Sequence, residues 1–185
     1  MSMLNKYDYS KVDRVCYSDT EQVSYKKAAE FLGDTVEDWG CGTCWAEQYF
    51  VNYTGIDGSP SRCVKPEDVV DLVEYTSSVD NILLRHVLEA NKDWEKLLEN
   101  IKKSFKKKFC LVVFTPTVEK TYIYKIHPVV DADGNIDDTR HIYEMFFNKQ
   151  DILNFFPEEE FIVSHEEIKT NSGYGTDWIV YVERR

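Results

Sequence analysis

Apolar positions along the chain follow two spacings, and the change from one to the other predicts a series of helices and strands. A helical spacing runs from Val23 through Phe31 and stops at Gly33, because residues three or four apart share one face of a helix. Asp19 and Gln22 stand just before it and fit a helix cap with its capping-box partner. The spacing therefore predicts a first helix that ends at a glycine.

Short apolar runs bounded by turn residues predict strands that alternate with helical segments. The run FCLVVFT is apolar on both faces, which is typical of the middle of a parallel sheet covered by helices. Alternating strands and helices indicate an α/β open sheet. The five strands predicted in this part of the chain lie at residues 34–39, 53–57, 68–72, 79–88 and 109–115.

Two further helices complete the first part of the prediction. Asn91 is expected to cap a helix that buries Trp94 and Leu98 on one face, as their spacing of four indicates. Asn148 is expected to cap a short helix that is stopped by Pro157.

The sequence pattern near the end of the chain predicts antiparallel rather than parallel pairing of strands. EFIVSHEEI and DWIVYVERR are separated by eight polar residues, a length that suits a hairpin and hence an antiparallel pair. Residues 116–147 are interpreted as an inserted hairpin that turns about DADGNIDD. A calcium loop fits this turn poorly, because Ile142 stands where the last ligand should be and the loop glycine comes two positions early, at Gly134.

Taken together, these patterns predict one domain over residues 1–185, with an N-terminal extension at 1–18. The predicted fold is α/β, with an open, mostly parallel seven-stranded Rossmann-like sheet, a C-terminal antiparallel strand pair and a hairpin inserted after strand 5. A chain of 185 residues is long enough to bury a core without crosslinks.

Charge and composition narrow the classes of partner. The formal net charge is −11 and the pI about 4.8, and a negative field repels phosphate backbones, so nucleic acid is not the expected partner. The lysines of KKSFKKK fit a solvated helix end. No apolar run reaches the roughly 20 residues that span a bilayer, and the polar N-terminus has no signal core. We expect a cytoplasmic protein that does not bind membranes, with its five cysteines reduced.

The stretch EDWGCGTCW carries two possible chemistries. Cys41 and Cys44 form a C-x-x-C pair, which can serve as a thiol–disulfide site at a helix start. Gly40 and Gly42 form a G-x-G step between a predicted strand and a predicted short helix at 44–51, which can hold a nucleotide close to the backbone. The remaining cysteines are isolated in sequence, so zinc is not expected.

Carboxylates at successive strand ends favour the glycine interpretation. Asp38 precedes the glycines, Asp57 ends the second predicted strand and Asp71 ends the third. The carboxyl ends of parallel strands meet in one crevice, where an acid such as Asp57 can accept the two hydroxyls of a ribose. Acidic strand ends suit a ligand with a ribose and a positive charge.

At this point the motifs resemble the class I S-adenosylmethionine-dependent methyltransferases over nearly the whole chain. VEDWGCGTC is similar to the first motif of that family, YTGIDGS to the second, VVDL to the third and LLRHVLEAN to the fourth-strand segment, in its small single-domain members. The resemblance implies S-adenosyl-L-methionine as cofactor and S-adenosyl-L-homocysteine as product. The cofactor contacts that it implies are Asp38, Gly40, Cys41, Gly42, Asp57, Gly58, Ser59, Asp71, Leu72, Arg85 and His86.

The resemblance implies methyl transfer, and the acidic charge favours an O or N atom of a small-molecule or protein acceptor. The inserted hairpin is assigned to the acceptor side, where its aromatic residues could wall the acceptor pocket, although their alternation favours packing. His86 is the candidate catalytic residue, as base or by shaping the site, with a structural role left open. Two departures matter: Cys44 stands where the family has a third glycine, and Ala90 replaces a frequent histidine. Two alternatives therefore stay open, a cofactor-binding module without activity and a thiol–disulfide protein. No metal ligand is expected, and the oligomeric state is open.

Overall fold

A computed structural model of the chain describes residues 22–61, 63–114, 117–130, 136–171 and 174–185. The predicted N-terminal extension and the predicted cap residue Asp19 lie outside the described residues. The helices are α1 (Val23–Leu32), α2 (Trp94–Ser104) and α3 (Lys149–Leu153). The strands are β1 (Thr35–Trp39), β2 (Asn52–Ile56), β3 (Val79–Arg85), β4 (Phe105–Phe114), β5 (Tyr122–Val130), β6 (Ile136–Phe146), β7 (Phe161–Lys169) and β8 (Thr176–Arg184).

The main sheet has the strand order β2-β1-β3-β4-β8-β7. β1 pairs in parallel with β2 and with β3, and β3 pairs in parallel with β4. β8 is antiparallel to both β4 and β7. The prediction of a mostly parallel α/β sheet with a C-terminal antiparallel pair is therefore confirmed.

The third predicted strand, at residues 68–72, is absent from the described part of the main sheet, which has six strands. Its segment begins with a 3-10 turn, Pro66–Asp68, and only Val69 makes a bridge, to Asp57. The chain then turns, with the Val73 amide donating to Asp71 Oδ1 at 3.1 Å. The strand prediction at 68–72 was wrong because a proline-led turn before it and a side-chain-stabilised turn after it leave one paired residue.

Helix boundaries agree with the sequence where a glycine or a side-chain cap fixes them. α1 ends at Gly33, whose φ is 82°, and the Asn148 side chain accepts from the Gln150 amide at the start of α3. The prediction that Asn91 caps α2 was wrong. Its side-chain amide instead donates to Val87 O, because Asn91 closes the 3-10 turn Leu88–Ala90.

Two other elements differ in their local geometry. The predicted helix at 44–51 is a 3-10 turn, Trp45–Tyr49. α2 ends at Ser104 and β4 starts at once, so Lys106, Lys107 and Lys108 lie on a strand rather than at a helix end. Lys108 extends to the Phe31 carbonyl at the end of α1.

The hydrophobic core lies on both faces of the main sheet. Trp39, Leu84 and Leu111 face α2 and α3, whereas Val36 and Leu83 face α1. β5 and β6 form a separate two-stranded antiparallel sheet. None of the described helices is long and apolar enough to cross a membrane; the cytoplasmic compartment stays a prediction.

Candidate functional site

The turn after β1 is built around Gly40. Its φ is +79°, and a Cβ at this position would lie 2.2 Å from Val87 Cγ2. The Gly40 amide donates to Ile56 O at 2.7 Å, which ties the turn to the end of β2. Glycine is strongly favoured at this position, because the left-handed φ disfavours a Cβ and the Cβ would also clash with the Val87 side chain.

Asp57 joins this turn to the loop that follows β2. The Gly42 amide donates to Asp57 Oδ2 and the Ser59 amide to Oδ1, each at 2.9 Å. Burial raises the pKa of Asp57 to about 6, although the amides of Gly42, Ser59 and Gly58 oppose the shift. Gly42 has φ +52° and nothing within 4 Å of a Cβ built on it, so one side of the turn is open beside a buried carboxylate.

Asp38 and Arg85 lie on the face of the sheet that α1 covers. Tyr53 donates its hydroxyl hydrogen to Asp38 Oδ2 at 2.7 Å. Burial raises the pKa of Asp38 to about 7, while Tyr53 and Arg85 lower it. The Arg85 guanidinium donates to Ser24 Oγ and to Tyr25 Oη, both at 3.0 Å. The two Arg85 contacts hold the start of α1 against the end of β3.

Three cysteines converge on the glycine turn. Cys44 and Cys63 form a disulfide with a Cα–Cα distance of 6.2 Å, and Cys41 Sγ lies 3.9 Å from Cys63 Sγ. The expectation that every cysteine is reduced was therefore wrong for this pair, and Cys63 is isolated in sequence only. Cys44 pairs with Cys63 rather than with Cys41, so the C-x-x-C motif does not form its own disulfide.

His86 occupies the carboxyl end of β3 with a φ of 53°. Its Nε2 lies 3.2 Å from Oδ2 of Asp177, whose side chain is fully buried. The Phe114 ring stacks on the imidazole, with centroids 3.9 Å apart. Asp177 reaches His86 because β8 pairs antiparallel with β4 and places Asp177 opposite Phe114.

Glu89 adds a second acid next to this pair. Its Oε1 accepts from the Phe114 amide at 2.6 Å. Burial raises the pKa of Glu89 to about 7, the amides of Glu89 and Phe114 lower it, and the Asp177 charge raises it. A carboxyl group with a pKa near neutrality beside a histidine is an arrangement suited to proton transfer.

A chain of aromatic contacts links the β5–β6 sheet to His86. Tyr124 stacks on Phe146 with centroids 4.4 Å apart. Phe146 contacts Tyr174 at 5.4 Å, and Tyr174 contacts Phe114 at 5.9 Å. β6 also packs against the 3-10 turn Leu88–Ala90. The β5–β6 sheet is thus connected to the histidine end of the main sheet; the inserted hairpin and its role as an acceptor wall stay predictions.

The predicted site residues fall into three places. Gly40, Gly42 and Asp57 meet directly, together with Cys41, Gly58 and Ser59. Arg85 and His86 follow one another at the end of β3, but their side chains contact different elements. Asp71 bonds within its own turn, and Leu72 is a core residue that is 9% exposed, so neither stands at a strand end as predicted.

Sequence analysis missed three groups that the fold brings to this edge of the sheet. Cys63 joins Cys41 and Cys44 from 19 residues beyond Cys44. Asp177 comes from the last strand, and its only sequence signal is an acid directly before an apolar run. Glu89 stands within the LLRHVLEAN motif, but it was not among the site residues that the resemblance implied.

Comparison with known proteins identifies the fold of this chain but does not assign it to a family. No protein-family model matches the chain, and no curated protein matches it. Among solved structures, it is similar to the 1,6-didemethyltoxoflavin-N1-methyltransferase of Burkholderia thailandensis, which was solved with 1,6-didemethyltoxoflavin and S-adenosylhomocysteine. That match has a TM-score of 0.59 and 14% identity over 90% of this chain and 80% of the other.

Two further structures have the same overall fold. The magnesium protoporphyrin IX methyltransferase of Synechocystis PCC 6803, with bound S-adenosylmethionine, gives a TM-score of 0.57 and 12% identity over 89% of this chain and 79% of the other. The third structure is the complex between the Haloferax volcanii Trm112 methyltransferase activator and a proposed methyltransferase. It gives a TM-score of 0.58 and 18% identity over 89% of this chain and 90% of the other. The chain therefore has the fold of S-adenosylmethionine-dependent methyltransferases, while the fourth-strand motif and the individual site residues stay predictions.

Proposed function

We propose that this protein is an S-adenosylmethionine-dependent methyltransferase that transfers a methyl group to an O or N atom of an acceptor. The observation that carries the proposal is the junction of the glycine turn with the buried Asp57 carboxylate, at the carboxyl edge of a sheet of methyltransferase fold. Ligands of open α/β sheets bind at that edge. A small-molecule acceptor is favoured, with a protein acceptor second.

The residues present fit the proposed cofactor. Gly40 lets the backbone turn where a Cβ would strike Val87, and Gly42 leaves open space on the ligand side. Asp57 supplies a carboxylate held by two backbone amides, whose remaining lone pairs suit ribose hydroxyls, each charge-assisted hydrogen bond contributing roughly 1.5–3 kcal/mol. Negative charge at this edge also favours a sulfonium cation.

In this proposal S-adenosylmethionine supplies an electrophilic methyl group, and the chain supplies orientation and proton transfer. Orientation alone can contribute several kcal/mol, up to about 7–11. His86 Nε2 and Asp177 Oδ2 lie 3.2 Å apart, which is an ion-pair distance without the geometry of a hydrogen bond. His86 would accept the proton of the acceptor, and the Asp177 carboxylate would offset the positive charge of the ring.

Titration calorimetry and a labelled-methyl screen test this function in two steps. We expect one equivalent of S-adenosylmethionine and of S-adenosylhomocysteine to bind each chain. We then expect labelled methyl to reach a component of a small-metabolite extract, and His86→Gln to prevent the transfer without abolishing binding. Binding with no transfer to any small-molecule or protein fraction would contradict the enzyme and favour a binding module; no binding would contradict both.

A further inference from the structure

The sulfur atoms of Cys41, Cys44 and Cys63 all lie within 4.8 Å of one another. The fold makes room for them at Gly55, where a Cβ would lie 2.8 Å from Cys41 Sγ and 2.9 Å from Cys63 Sγ. The 6.2 Å between the Cα atoms of Cys44 and Cys63 is within the range of ordinary disulfides. The thiol chemistry of this cluster is not part of the proposed methyl transfer.

We propose that the Cys44–Cys63 disulfide is a reversible latch on the cofactor cradle, formed by the glycine turn and the loop after β2. The oxidised latch holds the cradle in its binding conformation, and reduction by a dithiol loosens it and weakens cofactor binding. This inference rests on the proposed function, since it names a control of that same site.

The position of the bond explains why it would act on the cradle. Cys44 ends the glycine turn, and Cys63 lies four residues after Ser59, whose amide holds Asp57. The bond therefore joins covalently the same two segments that the Gly42–Asp57 hydrogen bond joins. Once the bond is broken, the two segments of the cradle are joined by hydrogen bonds but by no covalent link.

The backbone of Cys44 gives a second reason. Its φ is 62°, a left-handed conformation that non-glycine residues disfavour. The disulfide to Cys63 and the 3.0 Å contact of Cys44 Sγ with Ser61 Oγ hold the residue there. Without the bond, the Cys44 backbone can relax to a negative φ, which changes the conformation of the adjoining glycine turn. A glycine at this position would need no such restraint.

The two sulfur atoms of the bond differ in their exposure to a reductant, and this difference sets where reduction begins. Cys44 is fully buried, whereas Cys63 is partly exposed. A dithiol reductant therefore attacks Cys63 Sγ and displaces the Cys44 thiolate. The thiolate then takes up a proton. The second thiol of the reductant then attacks its own sulfur in the mixed disulfide, forms the cyclic disulfide and releases the Cys63 thiolate, which takes up a proton. The bond re-forms by the same exchange in reverse, with the cyclic disulfide as the oxidant. Burial and the charges of Asp38 and Asp57 raise the pKa of Cys41 well above its usual range, so Cys41 stays protonated and does not compete.

The test compares S-adenosylhomocysteine affinity by calorimetry in the oxidised protein and after dithiothreitol. Peptide mapping after alkylation should find the Cys44–Cys63 bond in the first state only. We expect the dissociation constant to rise at least about five-fold on reduction, the lower end of usual coupling between sites. Cys63→Ser should bind weakly in both states. Cys44→Ser, which likewise cannot form the bond, should also bind weakly in both states, and neither variant should respond to dithiothreitol.

Cys110, buried within β4, is the control, and Cys110→Ala should retain the response to dithiothreitol. Equal affinity in the two states, or a map without the Cys44–Cys63 bond, would overturn the latch alone. Stoichiometric binding of Zn²⁺ by the reduced protein, lost on substitution of any of the three cysteines, would overturn it in favour of a metal site. Failure to bind S-adenosylhomocysteine in either state would refute the proposed function and the latch with it.

Discussion

The Gly42 amide donates a 2.9 Å hydrogen bond to Asp57 Oδ2, which makes the turn after β1 and the end of β2 one structural unit. The second oxygen of the same carboxylate accepts from Ser59. Asp57 therefore organises the loops on both sides of the proposed cofactor before any ligand arrives. A carboxylate held in place by backbone amides loses little freedom when it binds, which favours affinity.

The two glycines of the turn should respond differently to the same substitution. Gly40→Ala and Gly42→Ala both place a Cβ at positive φ, which costs about 1–2 kcal/mol, but only the first strikes Val87. We expect urea unfolding to show the larger loss for Gly40→Ala. The double variant Gly40→Ala, Val87→Ala should be more stable than the sum of its single effects by about 1 kcal/mol or more. Equal losses at the two glycines, or strict additivity, would argue against the contact.

Because the pKa of Glu89 is raised in the fold, we expect the free energy of unfolding to depend on pH. Its pKa is raised from 4.5 to about 7 in the folded protein, so the folded chain holds this proton longer than the unfolded chain does. The stabilisation is complete below about pH 4.5 and is lost as the pH rises through about 7, on the order of 3 kcal/mol in all.

Urea unfolding of Glu89→Gln should isolate this contribution, because glutamine keeps an oxygen for the Phe114 amide. We expect the variant to match the wild type near pH 5 and to be the more stable protein near pH 8. Parallel pH dependences for the two proteins would mean that Glu89 ionises normally in the fold.

The His86–Asp177 pair predicts how the rate depends on pH once an acceptor is found. We expect His86→Gln to lower kcat by about 10²–10⁴. Asp177→Asn removes the counter-charge of the protonated ring, so the acidic limb of the pH–rate profile should move to lower pH. His165, which lies on β7 against Trp178, is the control, and His165→Gln should leave the rate unchanged. A purely structural Asp177 would lower the rate without moving the limb.

Sequence patterns predicted the elements whose signals are local. Gly33 ends α1 because only its backbone tolerates φ 82° there, and the apolar β4 takes its place between β3 and β8. The crevice at the carboxyl ends of parallel strands follows from topology alone, which is why Gly40, Gly42 and Asp57 could be grouped in advance. The segment at 68–72 has the composition of a strand, but Pro66 and the Asp71 turn leave it one bridge.

The rest of the site depends on contacts between segments that are distant in sequence. Cys63 reaches Cys44 because the loop after β2 folds back over the glycine turn, which spacing alone does not reveal. Asp177 faces His86 only through the register of β8 on β4. That register could have been proposed from the predicted antiparallel strands, but the depth at which Asp177 is buried could not.

Calorimetric titration with S-adenosylhomocysteine determines whether the glycine turn and Asp57 hold S-adenosylmethionine. We expect one binding site per chain in the wild type and an affinity at least about ten-fold weaker in Asp57→Ala, consistent with the loss of charge-assisted hydrogen bonds. Asp80, which pairs with Lys107 on the surface, supplies the control, and Asp80→Ala should bind like the wild type. Absence of binding by the wild type, or unchanged affinity in a folded Asp57→Ala, would contradict the account.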